Sequence, residues 1–250
     1  MIEPKNTVAA ALPLPAVADL EMLQHKSFSH FLHETNPDNG LVIDKTAEDW
    51  PASIAATGLA LESYPVAVER KFMPRSAAVE RTLTTLRFFW NSLQGPEPDA
   101  TGYQGFYYRF LDMQTGRRAW QCELSTVDST FLLAGALTAG IYFDAANSDE
   151  LEIRTLADAL YRRADWQWAQ DGGATVTHGW KPECGFLKYR WEGYDEAMLL
   201  YILRLGLPTH PLPEAATPRG LRLTDGKTVT DMTMRPKKSG GDASQTPLFC

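Results

Sequence analysis

The 250-residue chain is short of several things, and each shortage removes a class of function. No stretch approaches the ~20 consecutive apolar residues that a membrane-spanning helix needs, so no membrane partner is expected. Positive charge is scarce: 24 Lys and Arg stand against 31 Asp and Glu, for a net charge of -7. A phosphate backbone is gripped by a basic surface, so no nucleic-acid partner is expected either. Only three cysteines occur, Cys122, Cys184 and Cys250, an odd number with no metal-ligand spacing. Reduced thiols in a cytoplasm are the expectation, with no metal and no cofactor. The five His are scattered, which counts against the His-rich centre that an epimerase or cyclase would need. The N-terminal MIEPKNTVAAALPLPAVADL has a short apolar patch broken by Pro13 and Pro15 and lacks a clean basic start. It reads as a ragged terminus rather than a signal peptide, so a cytoplasmic location is expected and a periplasmic one is the alternative.

What the chain does have is helical rhythm. Residues 17–34 place Leu20, Leu23, Phe28, Phe31 and Leu32 on one stripe, an amphipathic helix. Ser53 opens a second helix, small and apolar nearly all round, expected to end around Pro65. Residues 75–92 are striped again through Val79, Leu83, Leu86 and Trp90. A fourth helix starts near the Ser125–Asp128 capping pattern and runs to Phe143, apolar on every side. Residues 149–168 are striped through Ile153, Leu156 and Leu160, with acids early and Arg late, as the helix dipole favours. A sixth helix, Asp195 to Gly206, is apolar on most sides. Two β-hairpins are predicted between helices, one around Met113–Gly116 and one around Pro182–Gly185.

Helix type and link length therefore alternate together. Striped helices are half-buried and apolar ones fully buried, which suits two concentric rings. Links from apolar to striped helices are short, and the reverse links are long. In such a ring every long link falls at one end, the N-termini of the inner helices, where a rigid scaffold presents binding residues.

The long links carry acids among Trp, Tyr and Arg, a mixture suited to sugars: ring faces stack on pyranoses and charged groups bond hydroxyls. Hydrolysing a glycosidic bond needs one protonated and one ionised carboxyl, held about 6.5–9.5 Å apart in an inverting enzyme. Asp128 and Glu196, each in the first turn of an inner helix, could point into one mouth, with Glu123 as a third acid. Tyr107, Arg117, Trp120, Trp180, Lys181, Glu183, Arg190, Trp191 and Asp195 are the candidates to bind substrate. Plainer roles exist for the same residues. Asp128 and Asp195 could only cap their helices. Glu196 could be an acid that the dipole favours. Glu123 could pair with Arg117 or Arg118. The aromatics could pack the links onto the ring, His178 could be a hairpin surface residue, and Cys122 a small buried one.

The strings SIAATGLALESYPVAVER, GFYYRFLDMQTGRRAWQCELSTVDSTFLLAGALTAGIYFD and HGWKPECGFLKYRWEGYDEAMLLYILRLGLPTHPLP resemble the bacterial glucoamylase-like family. That family is similar to endo-β-1,2-glucanases and to the glycoamylase-like segment of cyclic β-1,2-glucan synthases. The resemblance runs from about Leu20 to Pro213. It implies an all-α (α/α)6 toroid acting on a β-linked glucan, with inversion. By motif position it points to the Glu of GYDE, Glu196, and to the acids of CELSTVD, Glu123 and Asp128, as catalytic. About three of the six helix hairpins are present. Residues 1–16 are expected to be a flexible N-terminus, 17–213 a partial toroid domain, and 214–250 a disordered or frameshifted tail. A truncated member of this kind is expected to be impaired as a glycosidase, with a non-catalytic carbohydrate-binding fragment as the alternative. An opened ring leaves apolar flanks, so self-association through that edge is expected.

Overall fold

The computed structural model describes residues 17–192 and 196–206. The expectations for residues 1–16, for 207 onward and for Asp195 fall outside the described residues. Seven helices dominate: α1 (Val17–His33), α2 (Ile54–Glu69), α3 (Arg75–Asn91), α4 (Thr126–Tyr142), α5 (Ser148–Arg163), the short α6 (Trp166–Ala169) and α7 (Ala197–Gly206).

The apolar helices pack on one another. The most extensive helix contact is α2 against α4, and α7 also lies on α4. The striped helices α3 and α5 pack together, with α3 also on α2 and α5 also on α4. Small residues let α2 and α4 approach closely. A Cβ on Gly58 would strike the backbone of Phe131, and one on Gly135 would strike the carbonyl of Gly58. Two helices that touch backbone to backbone bury their small side chains without leaving voids.

Three helix boundaries differ from expectation. The last helix, α7, starts at Ala197, so Glu196 stands just outside it rather than in its first turn. Pro65 does not end α2, which continues to Glu69 with Pro65 buried inside it. A proline within a helix removes one backbone donor and crowds the preceding turn. Here the packed length of α2 against α4 outweighs that loss. The striped segment over 149–168 breaks at Ala164, whose backbone is extended (ψ 116), and restarts as α6 with Asp165 as its cap. The break turns Trp166 fully inward, edge-on to Phe106 with ring centroids 4.9 Å apart. Gln104 accepts the Asp165 amide at 3.0 Å, and Gly105 leaves no room for a side chain against Arg163.

The links hold more sheet than two separate hairpins. Strand β1 (Ala52–Ser53) pairs with β4 (Phe110–Leu111), joining the first long link to the second. A five-stranded antiparallel sheet runs β2 (Gly102–Tyr103), β3 (Phe106–Tyr108), β5 (Leu124–Ser125), β6 (Gly179–Lys181) and β7 (Gly185–Phe186). The hairpin around Pro182–Gly185 is there as β6–β7. The one around Met113–Gly116 is reduced to a single bridge, Leu111 with Arg118. Tyr108 pairs with Leu124, and Leu124 with Trp180, so the second and third long links are sewn into one surface. The three long links are thus gathered together.

Cys122 is a free, buried thiol, and burial pushes it up to about 11.

Candidate active site

Ser125 is both the last residue of β5 and the N-cap of α4. Its hydroxyl oxygen accepts the Asp128 amide at 3.2 Å, satisfying one of the orphan donors at the helix start. The same hydroxyl donates to the Asp128 carboxylate. In the first turn of α4, Thr126 donates to the Thr177 carbonyl at 2.7 Å, and the Trp191 indole donates to the Thr126 hydroxyl at 3.0 Å. The start of the buried helix is therefore tied to the third link, and the acids on either side of it are fixed by the sheet.

A pocket of about 220 Å³ opens here, lined by Arg109, Glu123, Ser125, Val127, Asp128, His178, Leu187, Tyr189, Trp191 and Glu196. All three acids that were candidates for catalysis line it. Two of them are largely enclosed: the side chains of Glu123 and Asp128 are 14% and 18% exposed. Glu196, one residue before α7, is exposed at the mouth. Arg109 lies between the enclosed pair, 3.6 Å from Glu123 and 4.0 Å from Asp128. Its guanidinium is half-exposed and makes no tight bidentate pair with either acid.

Burial pushes the Asp128 carboxyl above its ordinary range, and the neighbouring Glu123 adds to the rise. The Ser125 hydrogen bond and Arg109 oppose it without cancelling it. An acid taken out of water keeps its proton longer, because its charged form loses solvation. His178 stacks flat on Trp191, with ring centroids 3.9 Å apart at 17°. One wall of the pocket is thus aromatic.

The remaining candidates divide. Trp191 lines the pocket. Tyr107 does not; it is a core residue, fully buried, with its hydroxyl donating to the Phe89 carbonyl at 3.1 Å and receiving Arg163. Burial pushes that phenol up to about 12. Glu183 is held by the buried Arg118, at 2.7 and 3.1 Å, and serves the loop rather than a ligand. Arg190 donates to the carbonyls of Gln170 and Thr175 at 2.8 and 2.7 Å, closing the third link on itself. Trp180 packs with Tyr103 and Trp168. Arg117 sits 3.9 Å from Asp99, and neither it nor Lys181 lines the pocket. Trp120 is 57% exposed, outside the pocket, against Trp50 and Phe110. Glu123 pairs with Arg109 rather than with Arg117 or Arg118.

Sequence reasoning missed Arg109. The segment gives little signal for it: Phe106, Tyr107 and Tyr108 are all buried, and Arg109 is the exposed residue between β3 and β4. His178 was read as a hairpin surface residue, yet it belongs to the pocket wall.

An endo-β-1,2-glucanase from Chitinophaga pinensis, solved with sophorotriose and glucose, superposes with a TM-score of 0.72 at 20% identity, over 82% of this chain and 50% of that one. A provisionally assigned glucoamylase from Bacteroides uniformis matches with a TM-score of 0.73 at 25% identity, over 84% of this chain and 51% of that one. The fold is glucoamylase-like. A Parabacteroides distasonis protein named exo-β-1,2-glucooligosaccharide sophorohydrolase (non-reducing end) is 24% identical over 212 residues, 81% of this chain. The chain spans 28% of that relative's length and about half of the two solved glucoamylase-like structures. No family model matches the chain.

Proposed function

We propose that this chain carries the acid-bearing part of a glycoside hydrolase acting on a β-1,2-linked glucan. The observation that carries the reading is one pocket lined by Glu123, Asp128 and Glu196, with Arg109 between two of them and an aromatic wall beside them. The larger frame is an (α/α)6 toroid, of which these residues form about three helix pairs. Asp128 is the proton donor in this reading. Its carboxyl keeps a proton to higher pH than an ordinary aspartate, which suits protonation of a leaving glycosidic oxygen. Glu196 at the mouth, where water enters, is placed to be the ionised partner, and Glu123 with Arg109 sets the field around the donor. Inverting chemistry then needs a water held between donor and base.

A second reading has its own observation. Pockets that enclose a ligand measure about 300–1,000 Å³, and this one is smaller, about 220 Å³. That size favours a partial cleft that binds sugar without cutting it. One experiment separates the two. The chain is incubated with linear β-1,2-glucan, and products are followed by anion-exchange chromatography while binding is followed by calorimetry. Released oligosaccharides that vanish in E196Q and D128N support the hydrolase. Binding without release supports the non-catalytic reading, and absence of both overturns the glucan assignment.

A further inference from the structure

Beside the acid pocket lies a second surface, whose exposed indole does not line the pocket itself. Trp120 stands out from the link between β4 and β5, 57% exposed, its ring edge-on to Trp50 with centroids 4.7 Å apart. Its ring is held edge-on between Trp50 and Phe110, and its backbone is unusual. Trp120 and the next residue, Gln121, both adopt left-handed conformations, with φ of 53 and 52. Left-handed backbone at a non-glycine residue is strained and persists only where its surroundings impose it.

The surroundings are visible. Arg118, almost wholly buried, donates to the carbonyls of Gln121 and Cys122 at 2.8 and 2.6 Å. Glu183 grips the same guanidinium from the other side. Behind Trp120, the Trp50 indole donates to the Asp44 carboxylate at 3.2 Å, and the Lys45 ammonium sits 3.6 Å over the Trp50 ring. A turn pinned in this way, with a buttressed exposed indole as its product, is built to present that indole.

The surface is continuous with the acids. Phe110 lies 5.3 Å from the Trp120 ring, and the Arg109 guanidinium lies 5.0 Å from the Phe110 ring. The same guanidinium faces Glu123 and Asp128. A line of contacts therefore leads from the indole through Phe110 to Arg109 and the acids of the pocket.

We infer that Trp120, buttressed by Trp50, is a stacking platform for a glucosyl unit remote from the acid pocket, so that the site grips longer β-linked glucans more tightly than short ones. The inference rests on the glucan reading, and the experiment keeps the two apart. Affinities of sophorose and of a long β-1,2-glucan oligomer are measured by calorimetry for the wild type, W120A, W120F and W50A, with melting temperature as the check on folding. W120A weakens the long oligomer about tenfold, roughly 1.4 kcal/mol, and leaves sophorose within about twofold. W120F keeps most of the affinity, and W50A loses part of it. Equal weakening for both lengths, or none for either, overturns the platform while the glucan reading stands. A wild type that binds neither oligomer overturns both. A length-dependent loss in W120A alongside cleavage that survives D128N and E196Q leaves the platform in place and removes the catalytic assignments.

Discussion

Two arginine–carboxylate groupings sit at opposite ends of the helices and differ in kind. Where the short links run, Arg75 holds Glu150 with two bonds of 2.9 and 2.7 Å, and Glu150 also accepts the Ala145 amide at 2.8 Å. The Arg75 hydrogen bonds are the main reason the Glu150 carboxyl is held down to about 2. Where the long links gather, Arg109 stands 3.6 and 4.0 Å from two acids and commits to neither. There burial wins and Asp128 is pushed up. The same residue types thus make a tight clamp at one end and a loose, enclosed grouping at the other, the one that the proposed function assigns to catalysis. What separates them is whether the carboxylate's hydrogen-bonding capacity is already filled. Glu150 accepts three short hydrogen bonds, whereas Asp128 accepts from Ser125 and stands 4.0 Å from Arg109.

The comparison can be broken most severely at Asp128. D128N is expected to lower turnover of a β-1,2-glucan between about 100- and 10,000-fold, the usual span for a lost general acid. Its melting temperature should hold or rise, since the amide cannot take on the buried charge and can still accept from Ser125. Lost activity together with a lower melting temperature would make Asp128 a structural acid like Glu150.

E150Q should do the reverse. Breaking a buried pair costs about 3–5 kcal/mol, and the half-exposed Arg75 reduces this to about 2–3 kcal/mol in denaturant unfolding. The pH dependence has a definite sign. Glu150 is lowered from 4.5 to about 2 in the folded chain, so its contribution is complete above pH 4.5 and is lost as the pH falls towards 2. The wild type should lose stability across that window, and E150Q should show a shallower slope there.

G135A tests the helix interface common to both ends. The added methyl meets the Gly58 carbonyl, and overpacking costs about 1–3 kcal/mol, partly offset by up to about 1 kcal/mol of helix propensity. A small net drop in melting temperature is expected, and an unchanged one would mean α2 and α4 can move apart freely.

The mildest change sharpens the comparison. R109M removes a group that lowers the Asp128 carboxyl, so that carboxyl should titrate at still higher pH. Activity that needs the protonated acid falls as pH rises through this value. The alkaline limb of the pH profile should therefore move to higher pH in R109M. An acidward move would take the proton-donor role away from Asp128.

Much of this was legible in the sequence where the signal is local. The alternation of striped and apolar segments gave the helices, and the Ser125–Asp128 spacing gave the start of α4. Asp128 lies in the first turn of its helix as the spacing implied, while Glu196 falls just before α7 rather than in its first turn, yet both line one pocket. What escaped was set by partners far away in the chain. The pairing of Tyr108 with Leu124 and of Leu124 with Trp180 leaves no short-range pattern, so one sheet looked like two hairpins. Tyr107 and Trp191 are both aromatics in long links, and composition cannot tell the one that fills the core from the one that lines the pocket. Pro65 reads as a stop unless the depth of the α2–α4 contact is known.

Ser125 leaves no slack between strand and helix. With Glu123 just before that junction and Asp128 just after it, one inserted residue would turn everything downstream by about 100° and swing the second acid out of the cavity. Homologues of this chain, and libraries built on it, should therefore tolerate length changes only at the outer bends near 112–117 and 182–184. The five residues from Cys122 to Thr126 should act as a fixed ruler.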